Sequence, residues 1–300
     1  MKPEARWIHV CGMSRSGTTL LTSMLDAHPG ISMGYELLPA GLPSTIQFAK
    51  EIRDAVDATD GSARAVGNRL KESGLASSGV FVKRAARALL TPSDLEAILR
   101  RLSEEGRGSL RSLGARRELS EQVVLAKMAK EGTSIGGHKV GPRVARSIGA
   151  RAMDTSIVYI VRDPRDVAAS QRERGFDFDM RSLARDWNQL VATARRGVAR
   201  IPARRHAIRY EDLVEHPERS LRDMSEAIGI EFETSMLDPG TSKASVLNSE
   251  VRHANAENLR REVFTSSVGR GRRELSSEDS KVLSRRCRRG LRFLDYPLSP

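Results

Sequence analysis

Cysteine is nearly absent from this chain. Cys11 and Cys287 are the only two in 300 residues, too few and too far apart for a disulfide framework or a cysteine metal cluster, so a reducing compartment is expected. Aromatic side chains make up 4% of the sequence, and no basic tract is interleaved with them. A base-stacking platform is therefore missing, and no nucleic-acid partner is expected. No run approaches the ~18 apolar residues of a bilayer span, and the apolar stretch that ends at Gly12 is too short for a secretory h-region with a cleavage site. These absences predict a cytoplasmic protein. Acidic residues are also in deficit, 38 Asp+Glu against 50 Lys+Arg, a net charge of +12. That excess favours an anionic partner without choosing among nucleotide, acidic substrate, membrane surface and nucleic acid. With 39% hydrophobic residues the chain can build a core, which excludes disorder as a whole-chain description.

The pattern alternates strands with helices. "WIHVCGM" is a short apolar, β-branched run ending in a glycine turn, and "TTLLTSMLDAH" follows with helical spacing. After "PG", "ISMGYELL" is extended again. "SIVYIVRDP" reads as a buried strand, with Pro164 in the first turn of the helix that follows it. "RHAIRYEDL" reads as a further strand, before a helix opened by Pro217 and closed near Gly229. This order predicts an α/β fold: a P-loop-like parallel sheet flanked by helices. Residues 42–114 instead carry polar, Ala- and Arg-rich helices, the clearest with Thr91 as N-cap, Pro92 at its first position and Gly106 beyond its end. They are read as a helical insertion over the active-site face of a single domain spanning 1–300, with an independent helical domain as the alternative.

One further absence is chemical. "CGMSRSGTTLL" has the glycine spacing of a nucleotide-triphosphate loop, but Thr18 stands where the lysine for the β/γ-phosphates belongs. Ser16, Gly17, Thr18 and Thr19 still offer successive N–H groups and hydroxyls at a helix N-terminus, and Arg15 adds a planar fork for two oxygens. A capped helix start would read the same way. The second motif, "VRDPRDVAAS", puts Arg162 at the carboxyl end of a strand, where ligands of open α/β sheets bind, and Ser170 eight residues on. An Arg162 ion pair with Asp163 or Asp166 is the competing reading.

Taken together, the two motifs resemble the sulfotransferases that use 3′-phosphoadenosine 5′-phosphosulfate. The resemblance implies that Arg15 and Ser16 to Thr19 hold the 5′-phosphosulfate, that Arg162 and Ser170 hold the 3′-phosphate, and that the product nucleotide is 3′,5′-adenosine bisphosphate. A donor without a γ-phosphate gives a γ-directed lysine no task. "RSGTTLLTSMLDAHPGISMGYE" is similar to the branch that contains tyrosylprotein sulfotransferases and many bacterial enzymes, which implies Glu36 as catalytic base. A hydroxyl acceptor needs such a base as its proton leaves. "GGHKVGP" resembles the branch's lysine segment, so Lys139 would stabilise charge on the leaving oxygen, although it stands one residue further from Pro142 than the pattern has it. His138 is the rival base. The resemblance further implies Arg174 near the 3′-phosphate and Tyr210 near the nucleotide. Arg270 would lie in a C-terminal loop, "SSVGRGRREL", where Gly271 replaces the usual tryptophan. His28 reads as a helix cap and Trp187 as core.

No metal is expected. The acceptor is a hydroxyl, or else an amine, and its identity is not written in these residues. The helices of 42–114 could contact an acidic acceptor, a membrane surface or a second subunit, which leaves a homodimer open. Two rivals stand beside the sulfotransferase reading: a degenerate P-loop kinase using ATP, and a non-enzymatic polyanion-binding protein.

Overall fold

The computed structural model describes residues 6–38, 40–141, 154–196, 204–241 and 267–299. Strands β1 (Arg6–Cys11), β2 (Ile31–Tyr35), β3 (Ile135–Val140), β4 (Thr155–Val161) and β5 (Arg204–Arg209) make one five-stranded sheet in the order β2-β3-β1-β4-β5. The pairs β1–β4, β2–β3 and β4–β5 are parallel, and helices flank the sheet. β2 and β4 are buried at every position, as the continuous apolar runs of a sheet covered on both faces require. The α/β reading of the sequence is the observed architecture. By its contacts the chain divides into two compact units, one built on Thr22–Lys139 and the other on Trp7–Leu21 and described parts of Val140–Leu237 and Arg261–Pro300.

The first unit contains β2, β3 and helices α2 (Thr45–Asp57), α3 (Ala63–Glu72), α4 (Ala76–Arg87), α5 (Pro92–Glu104) and α6 (Leu113–Glu131). Ser44, Ser62, Thr91 and Ser112 each cap a helix by accepting an N–H from its first turn, and Thr91 with Asp94 completes a reciprocal capping box. α3 and α4 cross at backbone contact: a Cβ on Gly79 would lie 2.2 Å from the Gly67 carbonyl oxygen. Phe48, Ile52, Phe81, Leu95 and Leu99 fill the space between the helices. Beneath them lies a fully buried ion pair. Lys127 of α6 contacts Asp26 and donates to Met33 O at 3.1 Å, and Asp26 accepts the Met33 N–H at 2.6 Å. This network fixes β2, and Ser120 of α6 holds the chain just beyond it by donating to Leu37 O.

The second unit contains β1, β4 and β5. Asp163 caps α7 (Pro164–Glu173), which has Pro164 at its first position. α8 (Met180–Arg196), α9 (Tyr210–Glu215) and α10 (Pro217–Ile228) follow, the last ended by left-handed Gly229. Two sequence expectations change here. "RHAIRYEDL" is not one strand: β5 stops at Arg209 and Tyr210 opens α9. "SSVGRGRREL" is not wholly a loop either, because Gly269 turns left-handed and α11 (Arg270–Glu274) follows. Its Ser266, like Pro142 of "GGHKVGP", lies outside the described residues. α12 (Ser277–Arg286) and α13 (Arg288–Phe293) complete the unit.

α1 (Thr18–Asp26) carries the loop that leaves β1. Among the described residues no helix is long and apolar enough to cross a membrane.

Candidate functional site

The loop between β1 and α1 is bent by necessity. Arg15 and Gly17 both take positive φ, 74° and 89°, and neither glycine has room for a side chain. A Cβ on Gly12 would sit 2.6 Å from Thr18 Cγ2, and one on Gly17 would sit 2.4 Å from the Tyr210 ring. The Ser16 N–H closes this turn onto Met13 O at 3.2 Å, so Ser16 offers its hydroxyl rather than its amide. That hydroxyl is buried and without a hydrogen-bond partner. Thr18 and Thr19 begin α1, whose first-turn amides and dipole favour an anion.

The two sequence motifs meet at this loop. Arg15 Nε donates to Ser170 Oγ at 3.1 Å. Arg162 Nη1 donates to Arg15 O at 3.0 Å, and its other terminal nitrogen donates to Ser267 O. The Arg162 guanidinium lies 4.6 Å from the centre of the Tyr210 ring, and the Tyr210 hydroxyl shares a 2.7 Å hydrogen bond with Ser267. Gln171 of α7 adds a bond to Ser14 O at 3.1 Å. The expected ion pair with Asp166 is long, 3.8 Å, because Asp166 is occupied elsewhere: it accepts the N–H groups of Gly269 and Gly271 at 2.8 and 2.7 Å. Arg162 Nε is buried with no hydrogen-bond partner.

The electrostatics of this cluster are dominated by crowded positive charge. Burial first, and then the charges of Arg174, Arg162 and Arg270, push the Arg15 guanidinium below its ordinary value, and Glu173 offsets them only in part. Arg270 is committed differently, paired with Glu173 at 3.0 Å and Glu274 at 2.7 Å, and these carboxylates hold its pKa up. Its neighbour Gly271 sits so close to Arg165 that a Cβ would lie 2.4 Å from the Arg165 carbonyl carbon. A tryptophan cannot occupy that position.

Deeper supports hold the Arg162 segment. Trp187 is fully buried and donates to Arg162 O at 2.9 Å, so this core residue also positions the site. Arg165, also fully buried, pairs with Asp163 at 2.6 Å and donates to Pro297 O at 2.8 Å. Glu211 accepts the Asp163 N–H at 3.0 Å and the Tyr296 hydroxyl at 2.7 Å, and burial pushes its carboxyl up to about 7.

Glu36 and Lys139 belong to the first unit, at the ends of β2 and β3, whose register pairs Tyr35 with Lys139. Glu36 has a left-handed backbone, φ 56°, an uncommon state for a residue with a side chain. Its carboxylate meets Lys139 Nζ at 2.8 Å and Arg84 Nη2 at 3.3 Å, and Arg84 Nη1 also donates to the Glu36 carbonyl at 2.8 Å. Its side chain remains 35% exposed. Arg87, one turn after Arg84 on α4, adds positive charge near this carboxylate. His138 points the other way from Lys139 along the strand and is 1% exposed; burial pushes its imidazole down to about 4. His28 accepts the Gly30 N–H at 3.0 Å at the end of α1, the capping role its sequence position suggests.

Arg84, Gln171, Ser267 and Trp187 were not legible as site residues. Each acts through long-range geometry; only Ser267 stands in a quoted motif, "SSVGRGRREL", where its role is not singled out. Among the described residues no group of three histidine, cysteine or carboxylate side chains is arranged to hold a metal ion.

Comparison with known proteins adds an independent line. Residues 8–103 and 151–234, more than half of the chain, match the model of a family described as the sulfotransferase family. The match runs through α2 to near the end of α5, the region that the motif resemblance leaves uncovered. A solved sulfotransferase domain from the curacin biosynthetic pathway is 18% identical, with 98% of each chain covered and a TM-score of 0.64. The sulfotransferase domain of the olefin synthase of Synechococcus PCC 7002 is also 18% identical, covering 99% of this chain and 98% of its own, with a TM-score of 0.60. At these identities the likeness is one of fold. No curated protein matches significantly.

Proposed function

Since the chain belongs to the sulfotransferase family, we propose that it moves a sulfuryl group from 3′-phosphoadenosine 5′-phosphosulfate to an acceptor hydroxyl, with Glu36 as the base. The observation that carries this reading is the Arg15–Ser170 hydrogen bond, which brings the phosphate loop and the "RDPRD" helix to one place. The residues fit the nucleotide: Ser16 Oγ and Arg162 Nε are buried polar atoms with no partner, and Gly17, packed against the Tyr210 ring with no room for a Cβ, lets the loop take its bend.

When bound, the donor supplies the activated sulfuryl group. Arg15, Ser16, Gly17, Thr18 and Thr19 grip its 5′ end through the guanidinium, the hydroxyls and the amides that open α1. Arg162, Ser170 and Arg174 hold the 3′-phosphate, with Tyr210 as the wall behind Arg162 and Arg270 lending further positive charge. Glu36 takes the proton of the acceptor hydroxyl. Lys139 and Arg15 balance negative charge on the sulfuryl and leaving oxygens, an interaction that counts most in the transition state. No step in this scheme calls on a metal.

The test is incubation of the chain with donor labelled in its sulfuryl group and a mixture of phenols, alcohols, sugars and amines. Formation of labelled ester together with stoichiometric 3′,5′-adenosine bisphosphate supports the proposal. Consumption of ATP with no use of the sulfuryl donor would replace it with a kinase.

A further inference from the structure

The C-terminal helices present a surface that sulfuryl transfer does not use. From Arg285 to Arg292 every exposed position is arginine, namely Arg285, Arg286, Arg288, Arg289 and Arg292, and the buried positions between them are Cys287, Gly290 and Leu291. α12 runs into α13 with little break, because the Cys287 N–H donates to Leu283 O and the Leu291 N–H donates to Cys287 O. At helical spacing Arg285, Arg288, Arg289 and Arg292 fall within an arc of about 100°, with Arg286 and Phe293 along one edge. None of the five arginines has an ion pair among the described residues, whereas Asp279 at the start of α12 is engaged by Arg172 at 3.0 Å. The Phe293 ring is 48% exposed, and Arg195 of α8 lies over it, 5.1 Å from its centre.

Such an arrangement opposes the helix that carries it. Like charges three and four residues apart repel, and among the described residues no carboxylate pairs with these guanidiniums to relieve this. An anionic partner would. We propose that this face docks the protein on an anionic phospholipid surface. Planar guanidiniums suit phosphate oxygens, and a cluster of this size on one helix face gains at every arginine from a negatively charged leaflet. Phe293 favours lipid over other polyanions: an exposed ring at the edge of a basic face can enter the headgroup boundary, where aromatic side chains are stable. A nucleic-acid duplex would use the arginines and leave the ring without a role.

Co-sedimentation of the full chain with vesicles tests the proposal independently of the enzymatic reading. Phosphatidylcholine vesicles with about 30% phosphatidylserine should bind the protein at low salt and release it at about 0.5 M salt, and pure phosphatidylcholine should not bind it. The triple variant Arg285→Gln, Arg288→Gln, Arg292→Gln should bind about a hundredfold more weakly, at roughly fivefold per arginine. Phe293→Ser should weaken binding to the vesicles and leave binding to a DNA duplex unchanged. If the triple variant melts earlier than the parent, the single variants of the same arginines are measured, each expected to lose about fivefold. Equal binding to both vesicle types, undiminished binding of the arginine variants, or preference for the duplex with no effect of Phe293→Ser would each overturn the proposal.

Discussion

Arg162 donates to the backbone carbonyl of Arg15 at 3.0 Å, so the residue that the second motif offers to a phosphate also clamps the loop that the first motif offers to another. In the proposed function, binding one end of an anionic ligand and shaping the loop for its other end are thereby a single act. Loss of Arg162 should therefore cost more than one phosphate contact. Arg162→Gln is expected to weaken binding of 3′,5′-adenosine bisphosphate by at least the ~10–150-fold of a lost charged hydrogen bond, while Ser170→Ala stays at the lower end. Calorimetric titration of both variants checks the ordering; equal losses would separate the two roles of Arg162.

Glu36→Gln should retain nucleotide binding and lose ~10²–10⁴-fold in turnover, the range for a positioned base. His138→Asn should stay within a few-fold of the parent, since a side chain 1% exposed and pushed down to about 4 cannot reach an acceptor. Turnover measured at saturating donor distinguishes them, and the reverse pattern would move the base to His138.

Arg84 holds Glu36 by both its carboxylate and its carbonyl, and Glu36 occupies a left-handed backbone state. Arg84→Ala is expected to lower kcat by ~10-fold or more, as misplacement of a reacting group does, with bisphosphate affinity unchanged. A change confined to nucleotide affinity would contradict this positioning role.

Burial pushes the Glu211 carboxyl up to about 7 in the fold, from an ordinary value of 4.5. The folded chain thus holds this proton more tightly than the unfolded chain, which stabilises the fold below about pH 4.5, and the contribution fades as pH rises through 7. Glu211→Gln, which mimics the protonated form, should lessen the fall in urea midpoint between pH 5 and pH 8. An unchanged slope would show that Glu211 ionises without cost.

The buried Lys127–Asp26 pair offers a stability test. Lys127→Met strands a carboxylate that is wholly inaccessible to solvent and should cost about 3–5 kcal/mol, read as a lower urea midpoint. A change under about 1 kcal/mol would mean that the buried pair contributes little to stability.

Much of this was legible in the sequence for physical reasons. β4 carries the apolar run Ile157–Val161 and β1 is mostly apolar from Trp7 to Cys11, and Thr91, Pro92, Pro164, Pro217 and Gly229 sit at helix ends where their backbone preferences put them. The meeting of Arg15, Arg162 and Ser170 agrees with a reading of their types and spacing as anion chemistry. Other features depend on contacts that no local pattern encodes. Arg84 reaches Glu36 from 48 residues away. Tyr210 reads as strand from the sequence because a buried aromatic suits either element, yet it begins α9. α12 and α13 are not legible in the sequence because arginines crowd their exposed positions, leaving Leu283, Cys287 and Leu291 as too sparse an apolar signal.

The account rests on Arg162 and Ser170 binding a 3′-phosphate. Titration of 3′,5′-adenosine bisphosphate and of adenosine 5′-monophosphate into the parent chain and into Arg162→Gln measures that directly. The parent should favour the bisphosphate by about a hundredfold, on the scale of a charge-assisted contact, and the variant should nearly lose the preference. Equal affinity of the parent for the two nucleotides would contradict the account.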